Sequence, residues 1–190
     1  MYYLFFISNN AFNQNVIKSN LETGFSLANG KTPFWMVSGQ EGQLSVNKYN
    51  QWIKGEVSAE LTYRKNIKAN FKTEVIDVYN SRNQFYFNQA YGKLSWKFIS
   101  IQGGLKSDVF GNQDSLLSCG SLILSDNARP LPKIGLLVNE FTPVPFSRNF
   151  IKFKGGIEHG WFGKNQFVDN ALLHHKFFCA ESRREITCSH

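Results

Sequence analysis

The feature that most constrains this chain is a two-residue alternation that runs from Ile53 to Val75 and is interrupted once. Ile53, Gly55, Val57, Ala59, Leu61 and Tyr63 alternate with Lys54, Glu56, Ser58, Glu60, Thr62 and Arg64. After a short break, Ile67, Ala69, Phe71, Thr73 and Val75 interleave with Lys68, Asn70, Lys72 and Glu74. A period of two sends successive side chains to opposite faces of a strand, so each arm carries one apolar and one polar face. Two such arms joined by a few polar residues predict an antiparallel hairpin.

Parity restricts the register, because directly opposed residues share a face. A two-residue turn at Lys65 and Asn66 sets Arg64 against Ile67 and mixes the faces. A three-residue loop, Arg64-Lys65-Asn66, sets Tyr63 against Ile67 and Leu61 against Ala69, with Asn66 suited to a left-handed backbone. Glu60 then lies diagonal to Lys68 and Lys72. A third strand spans Gln89 to Phe98, with Ala90, Gly92, Leu94, Trp96 and Phe98 on its apolar side. At Phe98-Ile99 the apolar parity flips, which predicts a bulge or a chain reversal.

Arms of about eleven or twelve residues exceed the five or six usual in globular strands and match a tilted strand that crosses a bilayer. They predict an all-β fold, an antiparallel up-and-down transmembrane β-barrel. The alternation alone also fits a soluble β-sandwich, a glycan-binding or adhesin module, because it is the same whether the apolar side meets lipid or protein. The 18 Phe, 7 Tyr and 4 Trp against 2 Met agree with strands. No stretch reaches 18 apolar residues, so any membrane crossing uses strands.

The formal charge of +7 favours an anionic partner. The basic residues are dispersed among apolar ones, which argues against nucleic acid and for a wetted sheet face. Cys119, Cys179 and Cys188 are odd in number and lack metal-site spacing, so neither a disulfide framework nor a zinc site is expected. Residues 1–14 read as the end of a truncated secretory signal: the apolar run from Tyr2 to Ile7 leads into a polar segment. Residues 15–178 form one domain. A long irregular loop covers Lys106 to Pro132, broken by the apolar run Leu122 to Leu124. Strands resume at Lys133 to Asn139, Asn149 to Gly156 and Ala171 to Phe178. Residues 179–190 lose the alternation and form an atypical tail.

Catalytic patterns are missing: there is no G-x-S-x-G, Walker loop, G-x-G-x-x-G or H-E-x-x-H. His174 and His175 are adjacent and so point to opposite faces of a strand, and His159 stands alone. Local hydrogen bonding is the expected role of all three, with no metal and no cofactor. A hydrolase using His159, Asp169 and His174 is the third reading. The polar face offers Lys54, Lys68, Lys72, Lys93 and Lys97 for charge and Tyr91 for stacking, a surface for many weak contacts to an acidic glycan. A hydrated interior with compensating charges accounts for the same residues.

Further along, Gly103-Gly104-Leu105-Lys106 and Ser118-Cys119-Gly120-Ser121 precede the run Ser125-Asp126-Asn127-Ala128-Arg129-Pro130-Leu131-Pro132-Lys133-Ile134. Phe141 to Phe146, Gly156 to Gly160 and Leu173 to Lys176 follow in order. Together these segments resemble the Wzi-type capsule assembly family, in its Bacteroidetes-like form. The resemblance implies an outer-membrane barrel of a Gram-negative envelope that binds or organises capsular or other acidic surface polysaccharide without catalysis, monomeric and in contact with outer-membrane lipid. Members are longer, so it also implies an amino-terminal, incomplete part of the barrel. Arg129, Lys68, Lys72, Tyr91, Lys93, His159, His174 and Lys176 are the candidate polysaccharide contacts. For Arg129, tying its loop to carboxylates is preferred over binding glycan.

Overall fold

A computed structural model of the protein describes residues 2–12, 15–63, 66–80, 83–107, 127–147, 149–163, 169–182 and 186–189, with backbone alone at 2–12 and 186–189. The turn residues Arg64 and Lys65, Cys119 and the run Leu122 to Leu124 lie outside the described residues. Ten strands follow one another: β1 (Tyr2–Phe12), β2 (Asn15–Leu27), β3 (Tyr49–Tyr63), β4 (Ile67–Tyr79), β5 (Gln84–Trp96), β6 (Ile99–Leu105), β7 (Pro132–Pro143), β8 (Ile151–Trp161), β9 (Leu172–Ser182) and β10 (Ile186–Ser189). A single helical turn, α1 (Phe34–Val37), interrupts the β2–β3 connection. The strands hydrogen-bond in sequence order within one sheet, an antiparallel up-and-down meander.

Contacts divide the chain into two compact units. The first holds residues 1–59, 71–90 and 107–130, and the second holds residues 60–70, 91–106 and 131–190.

β3 ends at Tyr63 and β4 starts at Ile67, the three-residue connection that parity requires. The parity flip after Phe98 is a chain reversal: β5 stops at Trp96, Lys97 adopts a left-handed φ of 52°, and β6 begins at Ile99. Several boundaries differ from the sequence reading. β5 starts at Gln84, five residues before the expected strand. Tyr2–Phe12 pairs with β2 over eleven residue pairs from Tyr2↔Phe25 to Phe12↔Asn15. The tail continues as the end of β9 and as β10, with Ile186 opposite Glu181. Cys179 is disulfide-bonded, contrary to the expectation from an odd cysteine count, and Cys188 is its register partner on β10.

The sheet's polarity of burial is inverted relative to a water-soluble β-protein. In the first unit Val57 and Phe71 are 55% and 52% exposed, whereas Glu74 is 4% exposed on the opposite face of β4. In the second, Leu136 and Ile157 are 53% and 50% exposed, whereas Lys133 and Glu158, on the other face of the same strands, are buried. Among the described residues the strands bury Ser26, Asn50, Asn88, Ser100 and Gln102 as well, against a small apolar set. Burying such groups is costly unless each is paired. The polar face is accordingly knit together by side-chain bonds.

The apolar exception is a cluster in the first unit, where Trp52, Ile76 and Val78 are buried and Leu44 and Tyr86 pack against them. Leu44 comes from the β2–β3 connection, which is fastened to the sheet. Ala28 donates to the Lys48 carbonyl at 2.8 Å, and the buried Asn50 amide exchanges bonds with Ser45, accepting from its hydroxyl and donating to its carbonyl, both at 2.9 Å. Gly24 makes room for Trp52: an added Cβ would stand 2.3 Å from the indole ring. Since Trp52 is buried and its Nε1 donates to Glu22, the ring has little freedom to retreat. Gly24→Ala is expected to lower stability by about 1–3 kcal/mol in chemical denaturation, the usual cost of overpacking.

Candidate functional site

The polar face of the first unit is organised by strand alternation. Lys54 and Glu56 on β3, Lys72 and Glu74 on β4, and Tyr86 and Asn88 on β5 all project to the side on which Asn50 is buried. Lys54 Nζ lies 2.8 Å from Glu22 on β2. Lys72 Nζ sits 3.3 Å from Glu56 and 3.5 Å from Glu74. Glu74 accepts from Asn88 Nδ2 at 2.7 Å, and that same nitrogen donates to Glu41.

Glu41 reaches this position through a sharply turned loop in which Gly39, Glu41 and Gly42 all have positive φ. A left-handed backbone costs a non-glycine residue about 1–2 kcal/mol, and its bond to Asn88 offsets that strain. Gly42 also gives the 127–130 segment close approach, since a Cβ there would lie 3.2 Å from the Asn127 carbonyl. From this segment Arg129 lays its guanidinium 3.8 Å from the centre of the Tyr86 ring and donates to Gln84 Oε1 at 2.7 Å. Arg129 therefore ties its loop to an aromatic face and an amide. The sequence reading expected carboxylates.

The second unit holds a deeper cluster around Glu158 on β8. Gln102 on β6 donates to its Oε1 at 2.8 Å, Lys133 on β7 lies 3.7 Å from the same oxygen, and His175 Nδ1 on β9 lies 3.5 Å from Oε2. Four consecutive strands thus converge on one carboxylate that is 2% exposed. Lys106 extends the cluster, donating to Gln102 Oε1 at 3.2 Å and standing 5.6 Å from the Tyr91 ring centre. Next to it, Ser100 on β6 receives a bond from Asn139 on β7.

The sequence candidates separate under this geometry. Lys72 is neutralised by Glu56 and Glu74, where Glu60 had been expected as its partner. Tyr91 meets Lys106, and Lys93 shares the face of Tyr91 on β5. Lys68 is exposed, and so is Arg129 apart from its stacking. His159, His174 and Lys176 lie on the other side of the sheet, among the exposed apolar residues. His159 is directly opposite His174, and Lys176 is opposite Ile157. Glu41, Tyr86, Asn88, Gln102, Lys133, Glu158 and His175 organise the two clusters, and none was singled out from sequence as a site residue. For Tyr86 and Asn88 the signal is hidden by a slip of alternation. Phe85 and Phe87 are exposed on β5, but so are Leu94 and Trp96, of the opposite parity. A β-bulge produces such a slip.

Fold and site together define a class: an antiparallel β-meander with a paired, buried polar face and an apolar face left exposed. No family model, curated protein or solved structure matches the chain.

Proposed function

We propose that this chain forms wall strands of an outer-membrane β-barrel that handles surface polysaccharide without catalysis, as the Wzi-type resemblance implies. The observation that carries the reading is the inverted polarity: large apolar side chains such as Val57, Phe71, Leu136 and Ile157 are exposed, while Glu74, Lys133 and Glu158 are buried. Such an arrangement costs free energy in water and suits a lipid exterior around a polar interior. A soluble sandwich, the competing architecture, packs its apolar faces against each other. Strands of 11 to 15 residues at β3, β4, β5, β8 and β9 are long enough to cross a bilayer when tilted. The disulfide at Cys179 supports an oxidising, extracytoplasmic location.

On the polar face Lys54, Lys72 and Lys133 are engaged by carboxylates, and the proposed glycan contacts are the exposed Lys68 and Arg129 and the Tyr91–Lys93 stretch of β5. The chain should require detergent for extraction and run as a heat-modifiable band. Detergent-solubilised protein should bind an acidic polysaccharide with an affinity that falls as ionic strength rises, and Lys68→Glu should weaken that binding several-fold. A chain that stays soluble and monodisperse without detergent contradicts the barrel. Equal affinity for a neutral glycan contradicts charge recognition.

A further inference from the structure

On the exposed face of the second unit, His159 on β8 and His174 on β9 are directly opposed in the antiparallel register. Their ring centres are 6.0 Å apart, with planes inclined at 59°. His174 is exposed and His159 half-buried. Neither imidazole takes part in a hydrogen bond or ion pair among the described residues, so their nitrogen lone pairs remain open to a ligand. Trp161 packs edge-on against His159 at 5.1 Å and restricts its rotation. This rung lies two residue pairs in from the Trp161↔Leu172 rung, where β8 ends and β9 begins.

We propose that His159 and His174 form a two-histidine site for a late first-row divalent metal ion, copper(II) ahead of nickel(II) and zinc(II). With a metal–nitrogen bond of about 2.1 Å, two imidazoles that share one ion have ring centres roughly 4.5–6.5 Å apart as the N–metal–N angle opens from 90° to 180°. The observed 6.0 Å falls inside that range without movement of the backbone. Imidazole suits these ions better than magnesium or calcium, and affinity for a fixed nitrogen set peaks at copper(II). Among the described residues no third His, Cys, Asp or Glu joins the pair. The rung lies near the ends of β8 and β9, where a strand that crosses a bilayer reaches its water interface, and there water completes the coordination. Lys176, one rung further along the same face, opposes the ion's charge and keeps the affinity moderate. A bound ion would clamp β8 to β9. The site does not depend on the polysaccharide reading.

The test is copper(II) titration of the full chain in detergent, followed by calorimetry and electron paramagnetic resonance. The expected result is one ion per chain with nitrogen coupling from imidazole, weakened at least tenfold in His159→Ala and in His174→Ala and strengthened in Lys176→Gln. Both histidines face away from the polar clusters and bond to nothing there, so these variants leave the fold intact. The coupling in the unsubstituted protein gives a readout independent of them. Wild-type affinity in both alanine variants, or a spectrum without imidazole nitrogen coupling, overturns the proposal.

Discussion

Glu158→Ala is expected to lower stability by about 3–5 kcal/mol, the largest loss foreseen for a single substitution here. The carboxylate is the common partner of Gln102, Lys133 and His175, one residue from each of β6, β7 and β9. Removing it takes from the Lys133 ammonium, 4% exposed, a carboxylate oxygen 3.7 Å away. Glu158→Gln should cost less, because an amide oxygen still accepts from Gln102, although the charge opposite Lys133 is lost. Replacing both charges, with Lys133→Met and Glu158→Leu together, should recover much of the loss, since an apolar pair of similar volume carries no buried charge. The check is a double-mutant cycle by urea unfolding in detergent. Simple additivity of the two single substitutions would show that Glu158 and Lys133 are energetically independent.

The second large effect concerns the exposed face. Leu136→Arg on β7 and Val57→Arg on β3 place a charge where the sheet face is apolar and exposed. In a bilayer each should cost about 2–4 kcal/mol near the midplane and less toward the interfaces. For an exposed site in water the same change typically falls within about 0.5 kcal/mol. Comparing folding into lipid vesicles for these variants with that for a substitution at the exposed loop residue Lys31 separates the two environments.

Much of the hairpin was legible because strand geometry has a period of two and opposed residues must share a face. That argument alone placed Tyr63 and Ile67 at the ends of β3 and β4. It also sent His174 and His175 to opposite faces: His174 is exposed, while His175 turns toward Glu158. Alternation is symmetric, however, and could not tell which face is covered. Only the burial of Glu74 and Glu158 against the exposure of Phe71 and Ile157 settles that. The β5 segment from Gln84 to Asn88 escaped notice because its parity is opposite to that of Leu94 and Trp96. Glu41 was invisible for a different reason. Its partner Asn88 is 47 residues away, and the positive backbone φ that aims it toward Asn88 leaves no local pattern. The same holds for the His159 and His174 pairing, which exists only once β8 and β9 are in register.

The most direct measurement of the central claim is fluorescence quenching of the chain in vesicles with brominated lipid, using single cysteine-linked probes placed in turn along β7 and β8. The account predicts a two-residue period: strong quenching at Ile134, Leu136, Val138 and Ile157, and weak quenching at Gly135, Leu137 and Glu158, which face the other way. Uniform quenching along both strands, or strong quenching at the second set and not the first, would contradict it.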